Sequence, residues 1–246
     1  MKLDVVLLPG DLRQHHLEDR AVAVFDVLRA TTTITAALAA GVSQIRLFPD
    51  VLSARQAAAE SAEPDRRLLM GEENCLPPEG FDLGNSPGQL RHKEHAGRIA
   101  YMCTTNGTRA LIAAKGAAVR YAASLVNASA VARALMAAKR DVTLLCAGTG
   151  GQVSLEDTLG CGAVIGALER SAANLVFESD AALIARRLFA DNRHHLRGVI
   201  ADGEGGRNVL AAGLTADIDF CSRLDVLNVV GMVEGLEPTV RAAAAR

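Results

Sequence analysis

Residues 3–8, 21–27, 44–48, 68–71, 98–103, 119–122 and 142–147 are short apolar runs rich in β-branched side chains, and alanine-rich segments separate most of them. Few folds accept that order. A strand that is apolar without alternation has both faces covered, and helices between successive strands supply the cover. Segments 31–40, 51–61, 107–115 and 127–138 read as those helices, several opened by Ser, Thr or Asn at the cap position. The pattern predicts an α/β fold: a three-layer α/β/α sandwich around a mostly parallel or mixed sheet. At 246 residues the chain reads as one domain over 1–246, with any subdivision falling near 120–140.

Composition excludes several classes of partner. The formal net charge is −2, basic runs are absent, and there is no Trp and only two Tyr, which argues against nucleic acid. No apolar stretch approaches the roughly 20 residues that cross a bilayer, and the run before Pro9 is too short for a signal peptide. Five cysteines, an odd number without a Cys-x-x-Cys, indicate neither a disulfide framework nor a zinc site, so a reducing cytoplasm is expected. The pairs His15-His16, His92/His95 and His194-His195 sit in polar stretches and read as solvated surface. Residues 242–246 read as a frayed end. The alanine-rich helical surface is compatible with a homodimer.

Two turns carry the chemistry. Thr104-Thr105-Asn106-Gly107-Thr108-Arg109 follows one apolar run and opens a helix. Unpaired N–H groups and the helix dipole favour an anion there, glycine permits close approach, and Arg109 can clamp two oxygens. The same grammar recurs where 22–26 runs through Asp26 and Arg29 into Thr31-Thr32-Thr33. Two such turns predict a small, polyanionic, phosphorylated ligand, with Thr31, Thr32, Thr105, Asn106, Gly107 and Thr108 among its contacts.

Ligands of open α/β sheets collect at the carboxyl ends of strands. A third turn, Gly148 to Gln152, leads there into Ser154-Leu155-Glu156-Asp157, and a loop of about sixteen residues from Glu72 to Pro87 is long enough to form an active-site wall anchored by Phe81 and Leu83. Asp26, Glu156 and Asp157 are the candidate ligands for Mg2+, which prefers a few carboxylates with water and phosphate. Asp26, Arg29 and Arg109 are the candidate catalytic residues, with a polarised water or Asp26 itself as nucleophile. This reading requires Asp26, Arg109 and the Glu156–Asp157 pair to converge at one rim. The second glycine-rich stretch, Asp202 to Asn208, reads either as a similar wall or as a surface turn.

Four blocks resemble the 2-phosphosulfolactate phosphatases of the ComB type. They are Val24-Phe25-Asp26-Val27-Leu28-Arg29-Ala30-Thr31-Thr32-Thr33-Ile34, Glu79 to Pro87, Thr104 to Leu111, and Cys146-Ala147-Gly148 with Ser154-Leu155-Glu156-Asp157. They come in the family's order along nearly the whole chain. The resemblance implies an α/β, Mg2+-dependent phosphohydrolase that converts 2-phospho-3-sulfolactate to 3-sulfolactate and phosphate, a step of coenzyme M biosynthesis. Asn85, Ser86 and Gly148 join the substrate contacts on the strength of these blocks. One departure is Glu72-Glu73-Asn74-Cys75-Leu76-Pro77, an acidic approach to the long loop where the family is glycine-rich or basic. The C-terminal third matches more loosely.

Two rivals remain. Cys103 and Arg109 are five residues apart, as in thiol phosphatases, although the glycine pattern between them differs and Met102 replaces the usual His. A non-catalytic sensor of a phosphorylated metabolite would use the same turns, but gains nothing from three carboxylates beside them.

Overall fold

Strand β2 (Arg20–Phe25) sets the architecture, because every residue from Ala21 to Phe25 is buried. Side chains alternate across a strand, so Ala21, Ala23 and Phe25 enter one core while Val22 and Val24 enter another. The computed structural model describes residues 1–14, 17–171, 174–235 and 237–243. The remaining strands are β1 (Lys2–Val6), β3 (Gln44–Phe48), β4 (Arg67–Gly71), β5 (Ile99–Cys103), β6 (Val119–Ala123), β7 (Asp141–Cys146), β8 (Val176–Phe177), β9 (Gly231–Glu234) and β10 (Thr239–Ala242). They form one 10-stranded mixed sheet in the order β4-β5-β3-β10-β9-β6-β2-β7-β1-β8. The α/β sandwich read from the sequence is the observed fold.

Helices α1 (Ala30–Ala39) and α4 (Gly107–Ala113) cover one face, where Ile34, Leu38 and Leu111 meet Val22, Ile45, Met70 and Met102. The opposite face is covered by α5 (Ala128–Ala138), α6 (Leu155–Ser171) and α7 (Asp180–Asn192), with Leu135, Val164 and Leu168 against Leu3, Phe25 and Leu144. Helix α2 (Val51–Ala59) lies on Ile99 and Tyr101. Each fully buried side chain of this size contributes about 1.5–3 kcal/mol. The short helix α3 (His92–His95) closes on itself, since His95 Nδ1 accepts the Arg91 N–H at 2.9 Å. His95 is therefore buried rather than solvated, whereas His194 and His195 are exposed. His15 and His16 lie outside the described residues. Three further helices, α8 (Leu196–Asp202), α9 (Glu204–Ala211) and α10 (Thr215–Cys221), follow in the C-terminal third. Among the described residues, no helix is long and apolar enough to cross a membrane.

The sheet departs from a simple parallel array. Strands β6, β2, β7, β1 and β8 are mutually parallel, and so are β3, β5 and β4. Between these blocks lies the antiparallel hairpin β9–β10, which leaves them running in opposite senses. Ala242, expected in a frayed end, pairs with Gly231 in this hairpin. Yet Gly107, beyond the end of β5, lies against Asp26, beyond the end of β2. The two ends meet although their strand blocks run in opposite senses. The anion turns converge as the sequence implies, by a different route.

Candidate active site

Asp26 leaves β2 buried and stays at the base of α1, where its Oδ1 accepts the Ala30 N–H at 3.0 Å. An acid at a helix N-terminus suits the dipole. Gly107 is what lets α4 approach it: a Cβ there would stand 2.6 Å from Asp26 Oδ2 and 2.5 Å from the Ala30 Cβ. Burial, with Glu72 and Glu156 nearby, pushes the Asp26 carboxyl up to about 7, against the lowering by the Ala30 N–H and Arg29. Its Oδ2 takes no hydrogen bond from the described residues.

A pocket of about 240 Å3 opens over this carboxylate. Asp26, Leu28 and Arg29 line it from the β2–α1 turn, Glu72, Asn74, Cys75 and Asn85 from the long loop, and Thr105 and Asn106 from the β5–α4 turn. Thr149 and Gly150 close it from the β7–α6 turn, and Glu204, Gly205 and Asn208 from α9. The long loop is the ordered wall expected from its anchors. Leu83 bridges Met70 in parallel and its N–H bonds the Leu69 carbonyl at 3.1 Å, while Arg55 stacks over the Phe81 ring at 5.9 Å.

Several candidate contacts are committed to the fold instead. Thr31 Oγ1 donates to the Asp26 carbonyl at 2.9 Å and Thr32 Oγ1 to the Val27 carbonyl at 2.8 Å. These bonds satisfy hydroxyls in a buried helix, so the threonine run holds the turn rather than lining the pocket. Thr108 Oγ1 likewise donates to the Thr104 carbonyl at 2.9 Å. The Thr105 N–H, expected to meet an anion, is taken by Glu72 Oε1 at 2.7 Å. Glu72 Oε2 accepts the Cys75 N–H at 2.9 Å, so this carboxylate pins the long loop to the β5–α4 turn. Asn85 is buried with Oδ1 unpartnered, on the pocket wall.

Arg109 stands apart from the pocket. It is exposed, its Nε reaches only the Pro49 carbonyl at 3.5 Å, and it does not line the pocket. On a helix that begins at Gly107, position 109 points away from the face that packs on Asp26. Arg29 is the cation of the site. It is buried in an ion pair with Asp217 of α10 at 2.6 Å.

Of the three candidate metal carboxylates, Asp26 lines the pocket and Glu156 and Asp157 do not. Asp157 accepts the Val27 N–H at 2.8 Å through Oδ1 and the Gly148 N–H at 3.1 Å through Oδ2, tying the turns after β2 and β7 together. Gly148 thus supports the turn, while its neighbours Thr149 and Gly150 reach the pocket. Glu156 lies beneath α9, where a Cβ on Gly205 would stand 2.0 Å from its Oε1, and its Oε2 has no partner. Burial raises both carboxyls, Asp157 well above its ordinary range. Among the described residues no group of three or more His, Cys, Asp or Glu stands ready to hold an ion.

Glu72, Asn74 and Cys75 fall in the long loop read as a wall, Thr149 in the third turn, and Glu204, Gly205 and Asn208 in the glycine-rich stretch, but the sequence assigns no individual role to any of them or to Asp217. Glycine is a poor helix former, so α9 is masked in the sequence; its glycines at 205 and 206 sit where a Cβ would strike Glu156 and the Ile200 carbonyl. Residues 217–221 are among the recognisable parts of the looser C-terminal match, but nothing local pairs Asp217 with Arg29, 188 residues away.

The sequence profile of the 2-phosphosulpholactate phosphatase family matches residues 6–235, all four turns included. The chain belongs to this family. It is thereby placed among the phosphoric monoester hydrolases. Similar family members, each named a probable 2-phosphosulfolactate phosphatase, come from Carboxydothermus hydrogenoformans (38% identical, covering 94% of this chain and 92% of that protein), Symbiobacterium thermophilum (39%, covering 87% and 91%) and Synechococcus sp. (40%, covering 91% of each).

A thiol mechanism finds no support within the family site. Burial and Glu72 push the Cys103 thiol up to about 11, and Cys103 lies off the pocket wall. Cys103→Ser is expected to keep phosphatase activity within about threefold of wild type, measured as phosphate release at pH 7.

Proposed function

We propose that the chain is a magnesium-dependent phosphatase that hydrolyses 2-phospho-3-sulfolactate, or a similar small phosphorylated acid, at the pocket above Asp26. The observation that carries this reading is Asp26 itself: a carboxyl on the pocket wall raised by burial to about 7, one oxygen fixed by the Ala30 N–H and the other without a hydrogen bond from the described residues. Its remaining oxygen can take a proton from an attacking water when no cation sits on it, or hold the cation that polarises that water. Arg29, the buried cation on the wall, and Asn85 and Asn106 supply donors for the substrate's anionic groups.

The donor set fits a hard cation. Asp26, Glu72 and Glu204 present carboxylates to the pocket, and Mg2+ is commonly held by one or two such oxygens with water and phosphate completing the set. Asp26 with Glu204 would hold the ion, which would supply charge neutralisation on the phosphoryl oxygens when bound, while Glu72 keeps both oxygens on the backbone. The acid-rich wall supports turnover over mere sensing, since a binder of polyanions is weakened by it.

The test is phosphate release from phosphosulfolactate and phospholactate, with magnesium and after chelation. Release that is lost with EDTA and restored by Mg2+ is the expected result. Release indifferent to EDTA would refute the metal requirement, and tight binding without release would favour a sensor.

A further inference from the structure

We infer that Asp217, from the C-terminal helix α10, is the positioning residue that aims Arg29 at the substrate; the inference rests on the phosphatase reading above. Three side chains from three separate segments close a triangle. Arg29 Nη1 donates to Asp217 Oδ2 at 2.6 Å and to Ser86 Oγ at 3.3 Å, while Ser86 Oγ donates to the same Asp217 oxygen at 2.7 Å. The Arg29 and Asp217 side chains are 2% and 6% exposed, so solvent does not screen the pair. On the other arm, Arg29 Nη2 donates to the Cys75 carbonyl at 2.6 Å.

These bonds occupy Nη1 and one hydrogen of Nη2. The Nε hydrogen and the second Nη2 hydrogen have no acceptor among the described residues, and the guanidinium is planar, so fixing one edge fixes the other. Arg29 lines the pocket, so the edge left over is the one available for a bidentate grip on an anionic oxygen pair. Asp217 and Ser86 do not line the pocket and act through Arg29. Ser86 also extends the brace to the long loop. Asp217 thus braces the cation directly and the long loop through Ser86.

The experiment measures inorganic phosphate binding by calorimetry in magnesium buffer, alongside kcat and KM on the best-cleaved substrate. Asp217→Asn is expected to weaken phosphate binding about tenfold and to raise KM more than it lowers kcat, because a neutral amide holds the guanidinium less firmly. Asp217→Glu is expected to recover part of the loss, and Asp217→Asn is expected to add nothing in an Arg29→Ala background. Ser86→Ala, which spares the ion pair, is expected to weaken binding about threefold with an unchanged melting temperature, and carries the test if Asp217→Asn does not fold. Unchanged or tighter phosphate binding in the variants would overturn the inference, as would equal losses with and without Arg29. Wild-type protein that binds no phosphate would refute the phosphatase reading and the inference together; wild-type binding with indifferent variants would refute the inference alone.

Discussion

Asp26→Asn is expected to lower kcat about 1000-fold while the protein stays folded, the scale of loss for a general base removed from phosphoryl transfer. The amide keeps the shape and can still accept the Ala30 N–H, so the loss reports the missing carboxylate charge, as base or as metal ligand, and not a change of architecture. The same variant makes a pH prediction for the metal-free protein. Buried Asp26 holds its proton to about 7, chiefly through desolvation, whereas the unfolded chain releases it near 3.8. A carboxyl raised in the folded state contributes its full share of stability below the unfolded value, and that share is lost as pH climbs to about 7. Wild type in EDTA is therefore expected to lose stability between pH 4 and 7 through this group. Asp26→Asn is expected to match wild type at pH 4 and exceed it by a few kcal/mol at pH 8, read from urea unfolding. A variant that is inactive yet more stable at high pH is the signature of a site that stores strain for function.

Asp157→Ala carries the second large effect, and it separates a tether from a metal ligand. Removing the carboxylate strands the buried Val27 and Gly148 N–H groups, at about 1–3 kcal/mol each. Relief of a buried carboxyl offsets part of that loss, and a net destabilisation of about 3 kcal/mol is expected. As a tether, Asp157 gives the same loss in EDTA as in magnesium. A loss confined to magnesium buffer would return it to the metal set.

The fold was legible where burial is encoded locally. The unbroken apolar run of β2 requires two covered faces, and its residues divide between two cores as alternation demands. The hairpin β9–β10 was not legible, because 231–234 and 239–242 show nothing that distinguishes a sheet interior from an edge. Its insertion reverses one strand block, a property of sheet order that no local pattern carries. The site was legible as turns but not as side-chain directions. Thr31 and Thr32 were read as ligands because hydroxyls at a helix start suggest anions, yet burial obliges them to bond carbonyls. Arg29 and Arg109 look equivalent in sequence, and only the packing of α4 on Asp26 separates them. The partner of Arg29 comes from α10, in the third of the chain with the weakest motif signal.

A crystal structure with inorganic phosphate and magnesium bound tests the site most directly. The phosphate is expected in the pocket, with oxygens within hydrogen-bond distance of the Arg29 guanidinium and the metal on Asp26. Phosphate seated instead at Arg109, with the pocket above Asp26 free of both ions, would contradict the assignment.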